Sequence, residues 1–412
     1  MVSELIEVRG HIIDSLLLPK ILDEIIAAGG SFTIQDVQVG ERRVDPSYAR
    51  IEVVASSPEA LEAILGRITQ HGAKLVHEED ALLEAASMDG VFPEGFYPTT
   101  NLRTSVRLGG RWHEVEVSEM DCGIVWDPAA ERAAAVPMHR VGRGQLVVVG
   151  HRGIRVEQIA RSAEVNVFEF MTSEVSSEKP KGVIVREVAA ELKRARAAGE
   201  KILWVVGPAV VHTGAGEHLV RLVEADYVQV LFAGNALAAH DIEEAFFGTS
   251  LGVSLTQGVL TKGGHEHHLR AINRIRRLGG IAQAVDAGVL TRGVMHACIK
   301  AGVEVELAGS IRDDGPLPEV ITDCLEAQDR MRQAVRGVAV AILIATELHA
   351  IATGNILPAS VKTICVDINP AAVTKLTDRG TFQAIGLVTD VEPFLRALVA
   401  SLLDEAPRSS EG

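Results

Sequence analysis

The sequence predicts an α/β protein with a ferredoxin-like N-terminal module, a β-rich middle module and a C-terminal parallel-sheet domain. Strand and helix patterns alternate as β-α-β-β-α-β over residues 1–85, and short strands with glycine-containing turns fill residues 86–180. Apolar strands separated by helices fill residues 181–412, which favours parallel order and right-handed crossovers. These three ranges are the predicted domains.

The composition excludes several classes of protein. The chain has 412 residues, of which 47% are hydrophobic and 23% are charged, as in ordinary globular proteins. A net charge of −15 argues against a nucleic-acid partner, because nucleic-acid binding needs a basic face. The longest apolar run, residues 338–345, is too short to cross a bilayer. The first seven residues carry acids and lack the apolar segment of a signal peptide.

The four cysteines point to a reducing compartment. Cys122, Cys298, Cys324 and Cys365 lie far apart without the spacing of metal ligands, and three of them lie in apolar strand or helix contexts. We therefore expect buried free thiols and a cytoplasmic protein with no metal site.

The first module follows the split β-α-β pattern. Predicted strands cover residues 5–12, 31–39, 48–55 and 73–76, and a helix covers residues 16–28. A second helix opens with Ser57-Pro58, because serine caps a helix start and proline suits its first turn.

The middle module carries a candidate amino-acid site. Residues 92–101 form a polar-aromatic loop that precedes Arg103 and Arg107, and residues 116–125 place acids beside a strand. Guanidinium groups clamp carboxylates, and acids hold ammonium groups. The candidate substrate-facing residues are Asn101, Arg103, Arg107, Glu119 and Asp121. The alternative interpretation is a turn-rich surface with ordinary ion pairs.

The large domain predicts a ligand crevice at one edge of its sheet. Predicted strands cover residues 202–206, 227–232, 303–307, 338–344, 363–366 and 385–388. Asp367 and Asp390 follow the last two strands, and ligands of open α/β sheets bind beyond the carboxyl ends of the strands. An aspartate there can accept hydrogen bonds from both ribose hydroxyls of a dinucleotide. We therefore expect NAD, since a 2′-phosphate would be repelled.

The other strand ends carry further candidates. The glycine-rich turn at residues 207–216 can face a diphosphate but lacks the standard dinucleotide fingerprint. Gly234 allows close approach, and Asn235 offers a donor and an acceptor. His240-Asp241 is interpreted as a helix start, where both residues can cap, with contact of His240 to a ligand as the alternative. Asp313 and Asp314 are candidates for binding ribose, accepting a proton or capping a helix.

A histidine-rich segment raises the question of a metal. His265, His267 and His268 lie close in sequence, but neighbouring residues on a helix do not face the same way, so His267 and His268 do not share an ion. A polar loop with His265 facing the substrate is the preferred interpretation.

Four sequence blocks resemble the archaeal-type ornithine cyclodeaminase family, which also forms the C-terminal half of bifunctional arginine dihydrolase/ornithine cyclodeaminases. The blocks are Phe96-Tyr97-Pro98-Thr99-Thr100-Asn101, Ser176-Ser177-Glu178-Lys179-Pro180, Phe232-Ala233-Gly234-Asn235-Ala236 and Asp367-Ile368-Asn369-Pro370. The resemblance implies a LOR/SDH-type first module and a deoxyhypusine synthase-like NAD domain.

The resemblance also implies tightly held NAD and conversion of L-ornithine to L-proline and ammonia. The cofactor contacts that it implies are Asn235, Ala236, one or both of Asp313 and Asp314, Ala345, Thr346, Glu347, Leu348, His349, Asp367, Asp390 and Val391.

Glu266 precedes His267-His268 where deoxyhypusine synthase has a lysine, and no counterpart of its imine-forming lysine is evident, which argues against that activity. The chain has no arginine dihydrolase module, so we expect ornithine to be supplied to it.

The implied reaction is redox-neutral: NAD takes hydride from Cα of ornithine, the δ-amine displaces ammonia, and the cyclic imine takes the hydride back. We expect Arg103 or Arg107 to bind the substrate carboxylate. The favoured base is Asp313 or Asp314, followed by Glu119, Asp121 and His265. Two alternatives stay open: an NAD-dependent amino-acid dehydrogenase, and an NAD-binding amino-acid sensor without turnover. A homo-oligomer is expected.

Overall fold

The computed structural model describes residues 2–10, 12–13, 16–40, 42, 45–69, 71–76, 79–157, 181–250, 253–254, 266–313, 315–379 and 384–403. The chain forms two compact units. The first contains Met1–Glu169 and Leu357–Ser360, and the second contains Phe170–Ile356 and Val361–Gly412.

The first unit begins with a four-stranded antiparallel sheet and two helices. Its elements are β1 (Val2–Gly10), α1 (Leu17–Ala27), β2 (Ser31–Gln38), β3 (Ser47–Ala55), α2 (Pro58–Thr69) and β4 (Lys74–Leu75). The strand order β2-β3-β1-β4 confirms the ferredoxin-like prediction. Leu18, Ile21 and Ile25 form the buried stripe of α1 at helical spacing. The hydroxyl of Ser57 accepts a hydrogen bond from the amide of Ala60 at 3.2 Å, as expected for a helix cap.

A second sheet of seven strands completes the first unit and confirms the β-rich prediction. Its elements are β5 (Leu82–Ala85), β6 (Thr104–Leu108), β7 (Arg111–Glu116), β8 (Cys122–Asp127), β9 (Arg132–Pro137), the 3-10 turn Met138–Arg140, β10 (Leu146–Val149) and β11 (Ile154–Val156). The strand order is β11-β6-β7-β9-β8-β10-β5. Gly109 and Gly110 both have positive φ and join β6 to β7 in a two-residue hairpin.

The second unit alternates strands with helices. Its elements are α3 (Lys181–Ala197), β12 (Lys201–Val206), α4 (Ala209–His212), α5 (Gly216–Glu224), β13 (Val230–Gly234), α6 (Asn235–Phe247), β14 (Thr249–Ser250), β15 (Val253–Ser254), α7 (His267–Leu278), α8 (Ile281–Asp286), α9 (Val294–Ala301), β16 (Glu304–Ala308), β17 (Val320–Ile321), α10 (Cys324–Ala334), β18 (Val338–Ile344), α11 (Leu348–Ile356), β19 (Lys362–Asp367), α12 (Pro370–Arg379), β20 (Ala384–Val388) and α13 (Val391–Leu403).

The main sheet of this unit is parallel throughout. Its strand order is β17-β16-β13-β12-β18-β19-β20. Without the two-residue edge strand β17, this is the 3-2-1-4-5-6 order of dinucleotide-binding folds. The chain extends the sheet on one side of β12 and then returns to add β18 on the other side. The topological switch point therefore lies between β12 and β18, where such folds bind ligands.

Two sequence expectations in this unit need correction. The strand predicted over residues 227–232 begins only at Val230, because Tyr227 and Val228 are buried by packing without pairing in the sheet. His240 and Asp241 do not begin a helix but lie inside α6. The buried Asp241 carboxylate instead accepts the amides of Val294 and Met295, at 2.7 and 2.8 Å, and so caps α9. Burial raises the pKa of Asp241 to about 7.

Two further expectations concern cysteines and membranes. Cys122, Cys298 and Cys365 are buried free thiols, as predicted, and Cys324 is exposed. Across the part of the chain that the structure describes, every helix is too short or too polar to span a bilayer.

Candidate active site

The switch point is closely packed around a glycine. A Cβ atom added to Gly207, directly after β12, would lie 1.7 Å from the carbonyl oxygen of Ala345, directly after β18. Ala345 has a φ of 53°, which is unusual for a residue with a side chain, and its amide donates to the carbonyl of Val366 at 3.0 Å. Only glycine fits at position 207, so backbone groups line this edge of the sheet.

The next strand end also combines a glycine with a polar side chain. A Cβ atom on Gly234 would lie 3.1 Å from Cε1 of His349, so glycine makes room for the imidazole. Asn235 begins α6 and is 5% exposed. Its Oδ1 accepts the amide of Leu317 at 3.0 Å, so this side chain orders the loop that follows β16. Ala236, the next predicted cofactor contact, is half-buried.

His349 connects the ends of three strands. It lies in α11 after β18, and its Nε2 is 3.4 Å from the carbonyl oxygen of Ala308 at the end of β16. Burial lowers the pKa of His349, against the opposing effects of the Ala308 carbonyl and the Asp313 charge. Asp313 accepts the amide of Ser310 at 2.8 Å within its own loop. The structure thus brings together three predicted residues, Asn235, Asp313 and His349. Asp314 lies outside the described residues.

The carboxylates of the last two strands lie at the same edge of the sheet. Asp367 ends β19 half-exposed, and its Oδ1 accepts the amide of Asn369 at 2.8 Å. Asp390 is exposed between β20 and α13, and Val391 begins α13 as a buried residue. These acids are not sealed in the interior.

The residues after β18 differ in environment. Thr346 borders Gly207, whose added Cβ would lie 3.2 Å from the threonine Cβ. Glu347 forms an ion pair with Lys375 at 2.8 Å, and Leu348 is largely exposed. The edge therefore combines closely packed backbone at its centre with a histidine on one side and two strand-end acids on the other. A dinucleotide requires close backbone approach and ribose-binding acids, so these residues fit NAD.

The first unit brings the predicted polar-aromatic loop and acid-bearing strand together. Thr99 donates its hydroxyl to the carbonyl of Glu119 at 2.7 Å and accepts the amide of Cys122 at 3.0 Å. The Glu119 side chain is 2% exposed, and its Oε1 accepts the Cys122 thiol at 3.2 Å. Asn101 is 8% exposed, with its carbonyl accepting the amide of Ala359 at 2.8 Å. Asp121 is exposed with a φ of 62°.

The two predicted arginines have acidic partners in the same unit. Arg107 forms an ion pair with Asp80, and Arg103 lies 3.0 Å from Glu114. Their assignment to a substrate carboxylate stays a prediction. His265 lies outside the described residues.

Sequence reasoning missed a group of polar residues in the second unit. Glu243 in α6 is fully buried and contacts His240 and Thr249, and Thr249 contacts His267. Within the described ranges, His, Cys, Asp and Glu side chains form no group of three that could hold a metal. His267 and His268 face different partners, Thr249 and the ring of His240.

Three family models together match most of the chain. They are described as the Rossmann-fold C-terminal part of arginine dihydrolase ArgZ-like proteins (residues 186–398), the first region of that C-terminal part (residues 103–185) and the LOR/SDH bifunctional enzyme conserved region (residues 3–102). The ornithine cyclodeaminase of Methanopyrus kandleri is 54% identical over 401 residues, which is 97% of each chain. This chain belongs to the ornithine cyclodeaminase family. The family predicted from the four sequence blocks is therefore confirmed.

Further relatives agree with this membership. The ornithine cyclodeaminase of Methanocaldococcus jannaschii is 51% identical, covering 96% of this chain and 95% of that protein. Cyanobacterial ArgZ, an arginine dihydrolase, matches with a TM-score of 0.86 and 37% identity, covering 97% of this chain and 58% of ArgZ. AgrE in a ternary complex with ornithine and NAD+ matches with 42% identity and a TM-score of 0.53, covering 97% of this chain and 57% of AgrE. The chain thus spans somewhat more than half of these longer proteins.

Proposed function

We propose that this chain converts L-ornithine to L-proline and ammonia with bound NAD. The observation that carries the proposal is a dinucleotide-type switch point, lined by Gly207 and Gly234, in a chain 54% identical to an ornithine cyclodeaminase. The related AgrE has been crystallised with ornithine and NAD+, which matches both the substrate and the cofactor expected from the sequence.

The cofactor residues proposed from the sequence surround the carboxyl edge of the parallel sheet. Asp367 and Asp390 would hold ribose hydroxyls, and the backbone around Gly207 would face the diphosphate. The remaining proposed contacts are Asn235, Ala236, Asp313, Ala345, Thr346, Glu347, Leu348, His349 and Val391.

Bound NAD would accept the electron pair from the substrate Cα and later return it. The chain has to hold the substrate, exclude water and move protons. Arg103 or Arg107 would bind the substrate carboxylate by exchanging its present acidic partner for the substrate. Asn101 and Asp121 would contact the ammonium groups. The acids that the sequence favours as the base are Asp313, Asp314 and Glu119.

The proposal extends to the organisation and location of the protein. We assign residues 1–85 to the LOR/SDH-type module, 86–180 to the substrate-facing β-rich module and 181–412 to the NAD-binding domain. The three buried free thiols suit a reducing compartment, so we propose a cytoplasmic enzyme. We further expect a homo-oligomer that acts on a free amino acid and binds neither nucleic acid nor membranes.

The direct test uses the purified chain with ornithine. Mass spectrometry of the ligand released on denaturation is expected to give NAD, and proton NMR is expected to show proline and ammonia forming together without accumulation of NADH. An oxo acid with stoichiometric NADH would identify a dehydrogenase instead. Binding of NAD and ornithine without turnover would identify a sensor.

A further inference from the structure

Four histidines are linked, directly or through a neighbouring side chain, to one buried carboxylate in the second unit. Glu243 is 0% exposed, and its Oε2 lies 2.9 Å from Nδ1 of His240. The ring of His240 lies 4.7 Å from that of His212 and 6.0 Å from that of His268. Thr249 joins Glu243 to His267, with distances of 2.9 Å to the Glu243 Oε1 and 2.8 Å to Nδ1 of His267. These residues are called the histidine cluster below.

Ionisation of Glu243 would determine the tautomers of two imidazoles. An ionised Glu243 only accepts, so it takes the Nδ1–H of His240 and the hydroxyl hydrogen of Thr249. That hydroxyl has only one hydrogen, so its oxygen must accept the Nδ1–H of His267. Both neutral rings are therefore left with an unprotonated Nε2, which is the state that a base requires. A carboxylate that orients an imidazole in this way is a recurring arrangement in proton transfer.

We propose that His240 is the group that takes the proton from the α-ammonium of the substrate, and that Glu243 is its positioning residue. This inference rests on the proposed function. His240 takes the role that the sequence assigned to Asp313, Asp314 or Glu119.

The position of the cluster supports this role. α6 begins with Asn235 at the ligand-binding edge of the sheet, and the rise of a helix places His240 about 8 Å along it. His212 ends α4, which follows the switch-point glycine, so the first helices after β12 and β13 both contribute. The His240 side chain keeps 12% of its surface exposed, so it is shielded but reachable.

The neighbouring imidazole supports proton transfer by staying neutral. Burial, followed by the His240 charge, lowers the pKa of His212 to about 4, against the opposing effect of Glu243. Its Nδ1 lies 2.6 Å from the hydroxyl of Ser250. Near neutral pH, His212 therefore places no second positive charge beside His240 and Glu243.

The proton balance closes within one turnover. One N–H bond of the substrate α-ammonium breaks, and an Nε2–H bond forms on His240. The freed nitrogen lone pair would allow hydride to leave Cα for the nicotinamide cofactor when it is bound. The δ-ammonium loses one proton to solvent before it adds at Cα, and the δ-nitrogen of the adduct loses a second. The imidazolium then returns its proton to the α-nitrogen, which leaves as ammonia, and the two products regain two protons from solvent. Glu243 stays a carboxylate throughout and stabilises the imidazolium.

The test compares His240→Ala and Glu243→Gln with the wild-type chain. Loss of general base catalysis is expected to lower kcat by about 100-fold or more in both variants, while NAD is retained. Added imidazole is expected to restore activity to His240→Ala, because it replaces the missing base, but not to Glu243→Gln. A residue with a merely structural role would not respond to imidazole. The matched control is His218→Gln, whose histidine lies 3.6 Å from another carboxylate, Glu392, outside the cluster, and we expect its kcat to stay within about threefold.

The outcomes separate this inference from the proposed function. If the wild-type chain makes no proline when NAD is supplied, the proposed function fails. If it makes proline and His240→Ala keeps kcat within about threefold, or loses activity that imidazole does not restore, the inference fails and the function stands. If Glu243→Gln does not fold, the double variant His240→Ala/His267→Ala is measured in its place. Restoration of its activity by added imidazole would again support the inference, and absence of restoration would contradict it.

Discussion

The acids of the two units have different environments although all were selected from similar sequence patterns. Asp367 and Asp390 lie at the ends of parallel strands and reach solvent. Glu119 also lies beside a strand, but it is buried and its carboxylate accepts the thiol of Cys122. In a parallel sheet the carboxyl ends of the strands share one open edge, which makes the exposure of a strand-end acid predictable. In the β-rich sheet, all neighbouring strands except β7 and β9 pair antiparallel, so the carboxyl ends do not share one edge and the same pattern leaves the position of an acid open.

The largest effect is expected from a substitution at the closest contact along the carboxyl edge of the parallel sheet. Gly207→Ala places a Cβ atom 1.7 Å from the Ala345 oxygen, so the loops after β12 and β18 must separate. We expect loss of bound NAD and a fall of about 3 kcal/mol in the free energy of unfolding, as for overpacking. Denaturant titration and mass spectrometry of the released ligand measure both quantities.

Gly354→Ala is the matched control for that substitution. Gly354 lies inside α11, and its added Cβ would meet nothing within 4 Å. Alanine is the better helix former by about 1 kcal/mol, so stability should hold or rise slightly. A Gly207→Ala chain as stable as this control and still carrying NAD would show that the switch point is not closely packed.

The next effect concerns the strand-end acids. Asp367→Asn and Asp390→Asn each remove a charged acceptor for a ribose hydroxyl, which contributes about 1.5–3 kcal/mol. The dissociation constant for NAD should therefore rise by about 10–100-fold, measured by calorimetry on protein freed of cofactor. Asp286→Asn is the control, because Asp286 is an exposed helical acid. Equal affinities in all three variants would remove both acids from the cofactor site.

Glu119→Gln probes the opposite case, the acid buried in the first unit. The amide keeps the shape but replaces a charged acceptor for the Cys122 thiol, so we expect a loss of about 1–3 kcal/mol in stability. NAD affinity should stay unchanged. Because His240 is proposed as the base, kcat should fall less than about tenfold. A loss of 100-fold or more with intact NAD binding would return Glu119 to the catalytic role that the sequence gave it.

The smallest effect is a pH dependence of stability caused by His212. Its pKa lies near 4 in the folded chain, below its ordinary value of 6.5. Between these two values the unfolded chain binds a proton that the folded chain does not, so the free energy of unfolding falls as the pH decreases through this window. Allowing for the partial exposure of His212, we expect the free energy of unfolding of His212→Gln to fall by about 1 kcal/mol less than that of the wild type between pH 7 and pH 4.5. Parallel pH dependences in the two proteins would contradict the burial of a neutral His212.

Most of the fold followed from local signals in the sequence. Apolar runs separated by helical patterns gave the six long strands of the parallel sheet, and Ser57-Pro58 marked the start of α2. The two-residue strand β17 was missed, because Val320 and Ile321 are too short a run to differ from a loop. Tyr227 and Val228 were assigned to a strand because apolar residues that pack beside a sheet resemble residues within it.

The candidate site was predictable only in part. Acids at strand ends could be placed because strand direction determines where they lie. The histidine cluster could not: Glu243 and His240 lie one turn apart on α6, but His212 on α4 contacts His240, and His267 on α7 contacts Thr249, only in the folded chain. In the structure, the sign of such a group is a fully buried glutamate, because a buried carboxylate requires hydrogen-bonding partners. The spacing of residues in the sequence does not reveal that Glu243 is buried.

The most direct measurement follows the hydrogen on Cα of ornithine. We would supply ornithine carrying deuterium at Cα to the NAD-loaded chain and analyse the product by NMR. If the cofactor at the switch point returns the same hydrogen within one turnover, proline should retain deuterium at its Cα and no reduced cofactor should accumulate. Proline without deuterium, or deuterium found in free NADH, would contradict the account.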